Sequence, residues 1–515
     1  METPLALVVG AGPSGMTAAI ELRRAGLNVR IIDKSDHPAL HSQALVVQAR
    51  TLEQLQRYGI AGEAVAAGSK LTGAKLWSEG KEILSFDVNK IHSRYPYVLF
   101  LPQSKTEAIL SRHMESLGVK IERQTELLGF DQQAGSLLAQ LRHADGREES
   151  IHPRWIIGCD GAHSVVRHKA GIPFEGGGIA LSFFLGDFEI EGPDAPTDFL
   201  SIHLHQGNVV FMGRLTGKLT RIIVALHSQQ DEQSRRDLTL QDFQVPIDEA
   251  GVRIRILSSE WMTPFHVNDL QARHYREGNV FLVGDASHIH SPVGGQGMNT
   301  GMQDAANLAW KIAAVSRGAE EKLLDSYEEE RGAVGKALLK FTERGLKVAT
   351  TSNPIAESLR DALLPAIAGL DKVQQSMLGF ISETAIDYRD SSIVADHGGD
   401  GSLRAGDRMP DFGTGERDGS STLLANWTTG RHFALLFNVT EAEQTDFKLN
   451  FPSIPAIRLH SSEVDDNALG LLGREKKILI VRPDGYVGFR GPYTKQDELH
   501  AYADQDGLAR PALAQ

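Results

Sequence analysis

The stretch from Leu5 to Lys34 limits what this chain can fold into more than any other. An apolar run, Leu5-Ala6-Leu7-Val8-Val9, leads into Gly10-Ala11-Gly12-Pro13-Ser14-Gly15 and then a helical pattern through Arg24. Gly26 stops the helix, and a second apolar run, Val29 to Ile32, ends on Asp33 and Lys34. Strand, G-x-G-x-x-G turn, helix, strand and acid stand in the order of a dinucleotide-binding unit. Gly10 allows the tight turn, Gly12 lets a pyrophosphate reach the backbone, and Gly15 lets helix and strand pack closely. The helix amides and dipole then face the phosphates. Asp33 lies eighteen residues past Gly15, where a carboxylate accepts hydrogen bonds from a ribose diol. The expected ligand of this stretch is an ADP moiety.

At 515 residues the chain has room for two or three domains. Helical patterns follow at Arg50–Leu55 and Lys105–Leu117, the second opening just after Pro102-Gln103. Strands are expected near 119–123, 126–132 and 137–143, with Asp145-Gly146 as a hairpin turn. Trp155 to Cys159 reads as a buried parallel strand running into Asp160-Gly161. From about 179 to 265 the pattern changes to consecutive strands with short polar connections, which suggests an inserted, mostly antiparallel sheet. The α/β pattern returns at Asn279–Asp285, and a long helix is expected from about Thr300 to Arg317. Arg50, on a helix, serves either a phosphate or the solvated surface.

Three glycine-bearing strand ends need a common explanation: Gly10–Gly15, Asp160-Gly161 and Gly284-Asp285. Ligands of open α/β sheets bind at the carboxyl ends of the strands, so three such ends line one long ligand. The glycines Gly294, Gly295, Gly297 and Gly301 leave backbone bare for a flat ring. The helix that follows points its positive end back at that loop, where it favours an anion.

With these residues in view, the chain resembles the single-component FAD-dependent aromatic hydroxylases, of the para-hydroxybenzoate hydroxylase and phenol hydroxylase type. Gly10–Asp33 is similar to that family's ADP-binding fingerprint. Cys159–Arg167 is similar to its "DG" motif, which touches FAD and the nicotinamide cofactor. Gly284–His288 is similar to its "GD" motif, whose aspartate holds the ribityl chain, and Pro292–Asn299 to its loop under the isoalloxazine ring.

The resemblance implies FAD contacts from Gly10, Gly12, Pro13, Ser14, Gly15, Asp33, Lys34, Gln43, Gln103, Asp160, Gly284, Asp285, Pro292, Gly295, Gly297, Met298 and Asn299. Gln43 stands where the family often has Arg or Lys, and Gln103 reads equally as a helix N-terminal residue. Arg167 is the candidate for the nicotinamide phosphates, and the Pro292 backbone for the catalytic contact near flavin C4a. NADPH or NADH is implied as a transient co-substrate and dioxygen as the oxidant, hydroxylating a phenolic or polyketide-type substrate through a flavin C4a-hydroperoxide.

The implied fold is α/β, in three parts. A Rossmann-like FAD-binding domain is made of residues 1–178 and 266–345, with 74–100 contributing to the substrate domain. The mostly antiparallel substrate sheet spans 179–265. A helical segment, 346–400, precedes a thioredoxin-like domain without cysteines at 401–515. Phe183, Phe211, Met212 and Trp261 are the candidates to line the substrate, weighed against an ordinary sheet core. His203 and His205 share a strand face without a third ligand at metal spacing, so no metal is expected.

The formal charge of −13 argues against nucleic acid as a partner. The single cysteine, Cys159, excludes an internal disulfide and a dithiol redox pair. No apolar run reaches a membrane span and no basic leader precedes the first strand, so a cytoplasmic location is expected, with homodimerisation open. Two other readings remain: a flavin oxidoreductase or oxygenase acting on a non-aromatic ring, and a non-catalytic FAD-binding protein. The isolated tryptophans lack the Trp-x-Trp-x-Ile-Pro signature of flavin halogenases.

Overall fold

Short aliphatic runs without alternation can only be satisfied by burial on both faces, and here they assemble into one sheet. Its strand order is Arg276–Glu277, Val280–Leu282, Trp155–Gly158, Ala6–Val9, Val29–Ile32, Ile121–Glu122, and only the first pairs antiparallel. The structure is a computed structural model and describes residues 6–38, 44–133, 136–179, 181–227, 237–265, 268–291, 294–368, 370–411 and 431–505. Gln43, Pro292 and Val293 lie outside the described residues.

Register brings the three motifs together. Val9 pairs with Gly158, and Gly158 pairs with Leu282. The turns beginning at Gly10, Cys159 and Val283 therefore leave the sheet from one row, at the carboxyl ends of adjacent parallel strands. The helices Pro13–Arg24 and Gly297–Ser316 cover this sheet, and their apolar faces join its core.

The Gly297–Ser316 helix starts three residues earlier than the sequence pattern predicts. Glycine normally discourages a first turn. Here Asn299 secures it, accepting from the Gln48 amide (2.9 Å) and donating to the carbonyls of Val46 and Gly295 (both 2.8 Å).

The second large sheet has the order Arg255–Phe265, Ser182–Glu191, Leu219–Leu226, Asn208–Arg214, Phe199–His205, Gly73–Ser78, Lys81–Asp87. All neighbours are antiparallel except Phe199–His205 with Gly73–Ser78. A helix absent from the sequence reading, Gln241–Glu249, packs Phe243 and Ile247 against one face. A third sheet near the C-terminus has the order Ala395–Asp396, Val487–Pro492, Lys477–Val481, Phe433–Phe437, Ala456–Leu459. Its first strand comes from the segment read as helical, because Ala395 and Asp396 pair with Phe489 and Arg490. Helices flank this sheet on both faces, with Phe447, Leu499 and Tyr502 on one and Ala468 and Leu472 on the other. Among the described residues no helix is long and apolar enough to cross a membrane.

Candidate functional site

Small residues lock the three strand ends together. A side chain on Gly15 would collide with the Gly10 carbonyl, and one on Gly10 with Cys159 backbone. Ser14 is wedged between Gly284 and Gly301, so the first helix touches both the later turn and the later helix. Gly12 differs, because a Cβ there would meet nothing within 4 Å. It opens onto the space above the sheet and begins a helix with no capping side chain and no acid in its first turn. Its first amides therefore lack protein acceptors and favour an anion.

Three acids surround that space. Asp33 accepts from the Ala11 amide (2.7 Å) and the Ser35 amide (2.8 Å), which fixes the carboxylate and leaves lone pairs over. Asp160 accepts from the Val166 amide through Oδ2 (3.1 Å), while its buried Oδ1 is unpartnered. Burial raises the Asp160 carboxyl above its ordinary value, against a hydrogen bond from Ser164. Asp285 is exposed on one side, yet the surrounding protein raises its carboxyl, with Asp304 adding to the effect and His288 opposing it. Among the described residues no donor reaches Asp285. An unshielded backbone at Gly12, a free helix start, and acids short of donors fit a ligand with a pyrophosphate and many hydroxyls. FAD is such a ligand.

Around the ring end, the loop at Gly294–Gln296 is fastened from below. Gln48 donates to the Gly294 carbonyl (2.9 Å), and Gln296 donates to the Phe380 carbonyl (2.9 Å). Gly295, at φ +62°, sits against Val46, where a larger residue would strike that side chain. Met298 is half-buried against the main core. Gln103 opens its helix and accepts from the Ala44 amide (3.2 Å), beside Gln43 in sequence. Lys34 is exposed.

Two arginines are placed differently from the sequence expectation. Arg167 is only 3% exposed and donates to the carbonyls of Ala286 (3.1 Å) and Ala162 (2.8 Å), with its guanidinium over Phe174. These contacts occupy it in joining the 160 turn to the 284 turn. Arg50 is neither a phosphate ligand nor solvated. It is buried, paired with Glu53 (2.8 Å), and donates to the Asp484 carbonyl (2.7 Å). The C-terminal sheet folds back onto its helix, which no local pattern announces.

Beneath the site runs a buried network that the sequence reading missed. Asp304 receives His288 (2.8 Å), the Gly284 amide (3.2 Å) and Arg331 (2.5 Å). Burial opposes its ionisation, but Arg331 and His288 hold its carboxyl below the usual value. Arg331 also donates to Tyr388 (2.8 Å) and to the Thr300 carbonyl (3.1 Å). Asp304, seven residues in, is the one acid of its helix, and a lone carboxylate so close to the glycine turn was the available signal.

The substrate candidates divide between the faces of the second sheet. Phe183 and Phe211 share one face, in a cluster with Phe265 and Leu204. Register places Trp261 there as well, opposite Asp187. Met212 goes to the other face, fully buried beneath the Gln241–Glu249 helix, which removes it from the lining. Asp187, Arg221 and Trp261 form a buried polar cluster on the first face. Arg221 binds both carboxylate oxygens of Asp187 (2.5 and 3.0 Å), and Trp261 donates to Asp187 (2.8 Å). His203 stacks on Trp77 at 4.6 Å, and burial pushes its pKa down to about 4. Among the described residues no group of three ligands could hold a metal.

Comparison with known proteins bears on this geometry. The family described as "FAD binding domain" matches residues 2–342. An uncharacterized aromatic compound monooxygenase of Bacillus subtilis is 32% identical over 94% of this chain and 93% of its own. Pentachlorophenol 4-monooxygenase of Sphingobium chlorophenolicum is 30% identical over 96% and 95%. Among solved structures, an anhydrotetracycline hydroxylase from Streptomyces rimosus superposes with a TM-score of 0.81, at 28% identity, covering 98% of this chain and 99% of that one.

Proposed function

The chain belongs to the FAD-dependent aromatic hydroxylases, as an FAD-dependent monooxygenase, and on that premise we propose how its residues divide the work. FAD lies along the row of strand ends, and the observation that carries this is Asp285, a carboxylate with open space before it and no protein donor among the described residues. Asp33 receives the adenosine ribose, and the amides of the Pro13–Arg24 helix receive the pyrophosphate past Gly12. Asp285 receives the ribityl hydroxyls, and Gln103 flanks that chain. Asp160 completes the pocket with its free oxygen. The backbone of Gly294, Gly295 and Gly297 lies against the ring, and the first amides of the Gly297–Ser316 helix stabilise negative charge at its pyrimidine end.

When bound, FAD supplies the redox chemistry: it takes a hydride from NADPH or NADH and then activates dioxygen for transfer of one oxygen atom to an electron-rich ring. The protein orients that ring and excludes water. Phe183, Phe211 and Trp261 cover the substrate from the second sheet, with the Asp187–Arg221 pair fixing the Trp261 indole. The substrate is a phenol or a fused polyketide-type aromatic; the relatives named for pentachlorophenol and for anhydrotetracycline mark these two sizes. The C-terminal sheet, with Ala395–Asp396 as its edge strand, belongs to a thioredoxin-like unit that has no cysteine and acts as a buttress or an association surface.

The test is NADPH and NADH oxidation by the FAD-loaded protein with a panel of phenols, naphthols and hydroxyquinones, followed by product mass. Substrate-stimulated oxidation with a product heavier by one oxygen atom is expected. Bound FAD with no stimulation across the panel would move the reading to a non-aromatic ring.

A further inference from the structure

Glu383 is 1% exposed and holds a left-handed backbone at φ +61°, just past the Asp371–Ile381 helix. Its carboxyl is inserted at the start of the Gly297–Ser316 helix. Thr300 Oγ1 lies 2.8 Å from its Oε1, and Gln303 Nε2 donates to its Oε2. The segment around it is pinned to the same region: Gln296 donates to the Phe380 carbonyl (2.9 Å) and the Arg50 amide to the Ser382 carbonyl (3.2 Å). We propose that Glu383 is a positioning residue whose charge state sets the field at the start of this helix and thereby the reduction potential of the flavin. The proposal rests on the reading that the 294–297 loop lies against the flavin ring.

The helix start carries a partial positive charge that favours an anionic reduced flavin. A carboxylate buried one turn inside would cancel part of that charge, whereas a neutral carboxyl leaves it intact. Burial pushes Glu383 up to about 8, against the hydrogen bonds of Thr300 and Gln303 and the charge of Arg331, with Asp304 adding to the rise. Of the other cations beside this segment, Arg50 is engaged by Glu53 and the Asp484 carbonyl, and Arg408 by Glu53 and the carbonyls of Thr384 and His92. The Thr300 hydroxyl both donates and accepts, so the contact survives in either charge state. Reduction and protonation of Glu383 are therefore coupled, each favouring the other.

The test is the midpoint potential of bound FAD against pH, from about 6 to 9.5, for the wild type and Glu383→Gln. The two curves are expected to run together at low pH, with the wild type falling more steeply above about pH 8. Parallel curves over the whole range would overturn the proposal. If Glu383→Gln does not fold, Thr300→Val replaces it. Losing a donor to the carboxylate should move the wild-type inflection to higher pH, and an unmoved inflection overturns the proposal. Asp285→Ala serves as the control on the site: stoichiometric FAD retained there would remove the flavin reading, and the Glu383 proposal with it.

Discussion

Along the Gly297–Ser316 helix, the first turns and the last turns both lie beside charged side chains, the last ones fully buried and the first ones open on one side. In the last turns every group is answered. Lys311 meets Asn307 and Glu330; Asn307 and Trp310 donate to Asp484; Arg482 grips Glu330 through both oxygens at 2.7 and 2.8 Å. Burial opposes ionisation of Glu330, but Arg482 and Lys311 outweigh it and hold the carboxyl far below its ordinary value. Burial lowers Lys311 to about 8. Near the first turns, Asp285 and one oxygen of Asp160 go without donors among the described residues, and the surrounding protein raises both carboxyls. The saturated cluster docks the C-terminal sheet, and the unsaturated one holds space for a ligand. Unpaired buried polarity is costly, so where it persists something outside the chain completes it.

Four experiments test this contrast. Arg482→Ala leaves Glu330 and Asp484 without their main cation, and should cost about 4 kcal/mol of stability in denaturant titration. An unchanged midpoint would make the docking cluster incidental. Asp285→Ala should weaken FAD by about 3 kcal/mol, roughly a hundredfold, read by retained flavin absorbance. Apoprotein stability should hold or rise, because a carboxyl kept above its ordinary value is a burden without ligand; a large loss would place Asp285 with the structural acids.

The third experiment uses pH. Glu383 has a folded pKa raised to about 8, so the folded chain binds its proton more tightly than the unfolded chain does. Its stabilising contribution is present at low pH and is lost as pH rises through that value. Relative to Glu383→Gln, the wild type should lose about 2 kcal/mol between about pH 6 and 9. Equal pH profiles would contradict a neutral Glu383. The smallest effect is expected from Phe211→Ala, about 1 kcal/mol in substrate KM with FAD retention unchanged. A change in FAD retention instead would move Phe211 from the substrate side to the cofactor side.

The reading from sequence went furthest where backbone chemistry is local. The three glycine turns were legible because a strand end that packs against a neighbour tolerates no side chain: Gly10 and Gly15 lie against backbone, and Gly284 against the Ser14 side chain. The strands of the second sheet were legible through their alternation and short turns, as was the 126–151 meander. Side-chain partners were not. Arg50 meets Asp484 across 434 residues, and nothing near Arg50 records that. Arg167 reads as a charge beside a phosphate until its carbonyl partners at Ala162 and Ala286 are seen. Met212 and Phe211 are adjacent apolar residues, and only a helix covering one face of the sheet distinguishes them. From the sequence it follows that strand ends far apart meet at one candidate ligand site, because strand, glycine turn and acid are requirements of the backbone within a few residues. Tertiary structure alone decided which charges face that site and which are consumed beneath it, because a buried charge is governed by the partner that reaches it, and that partner can come from any part of the chain.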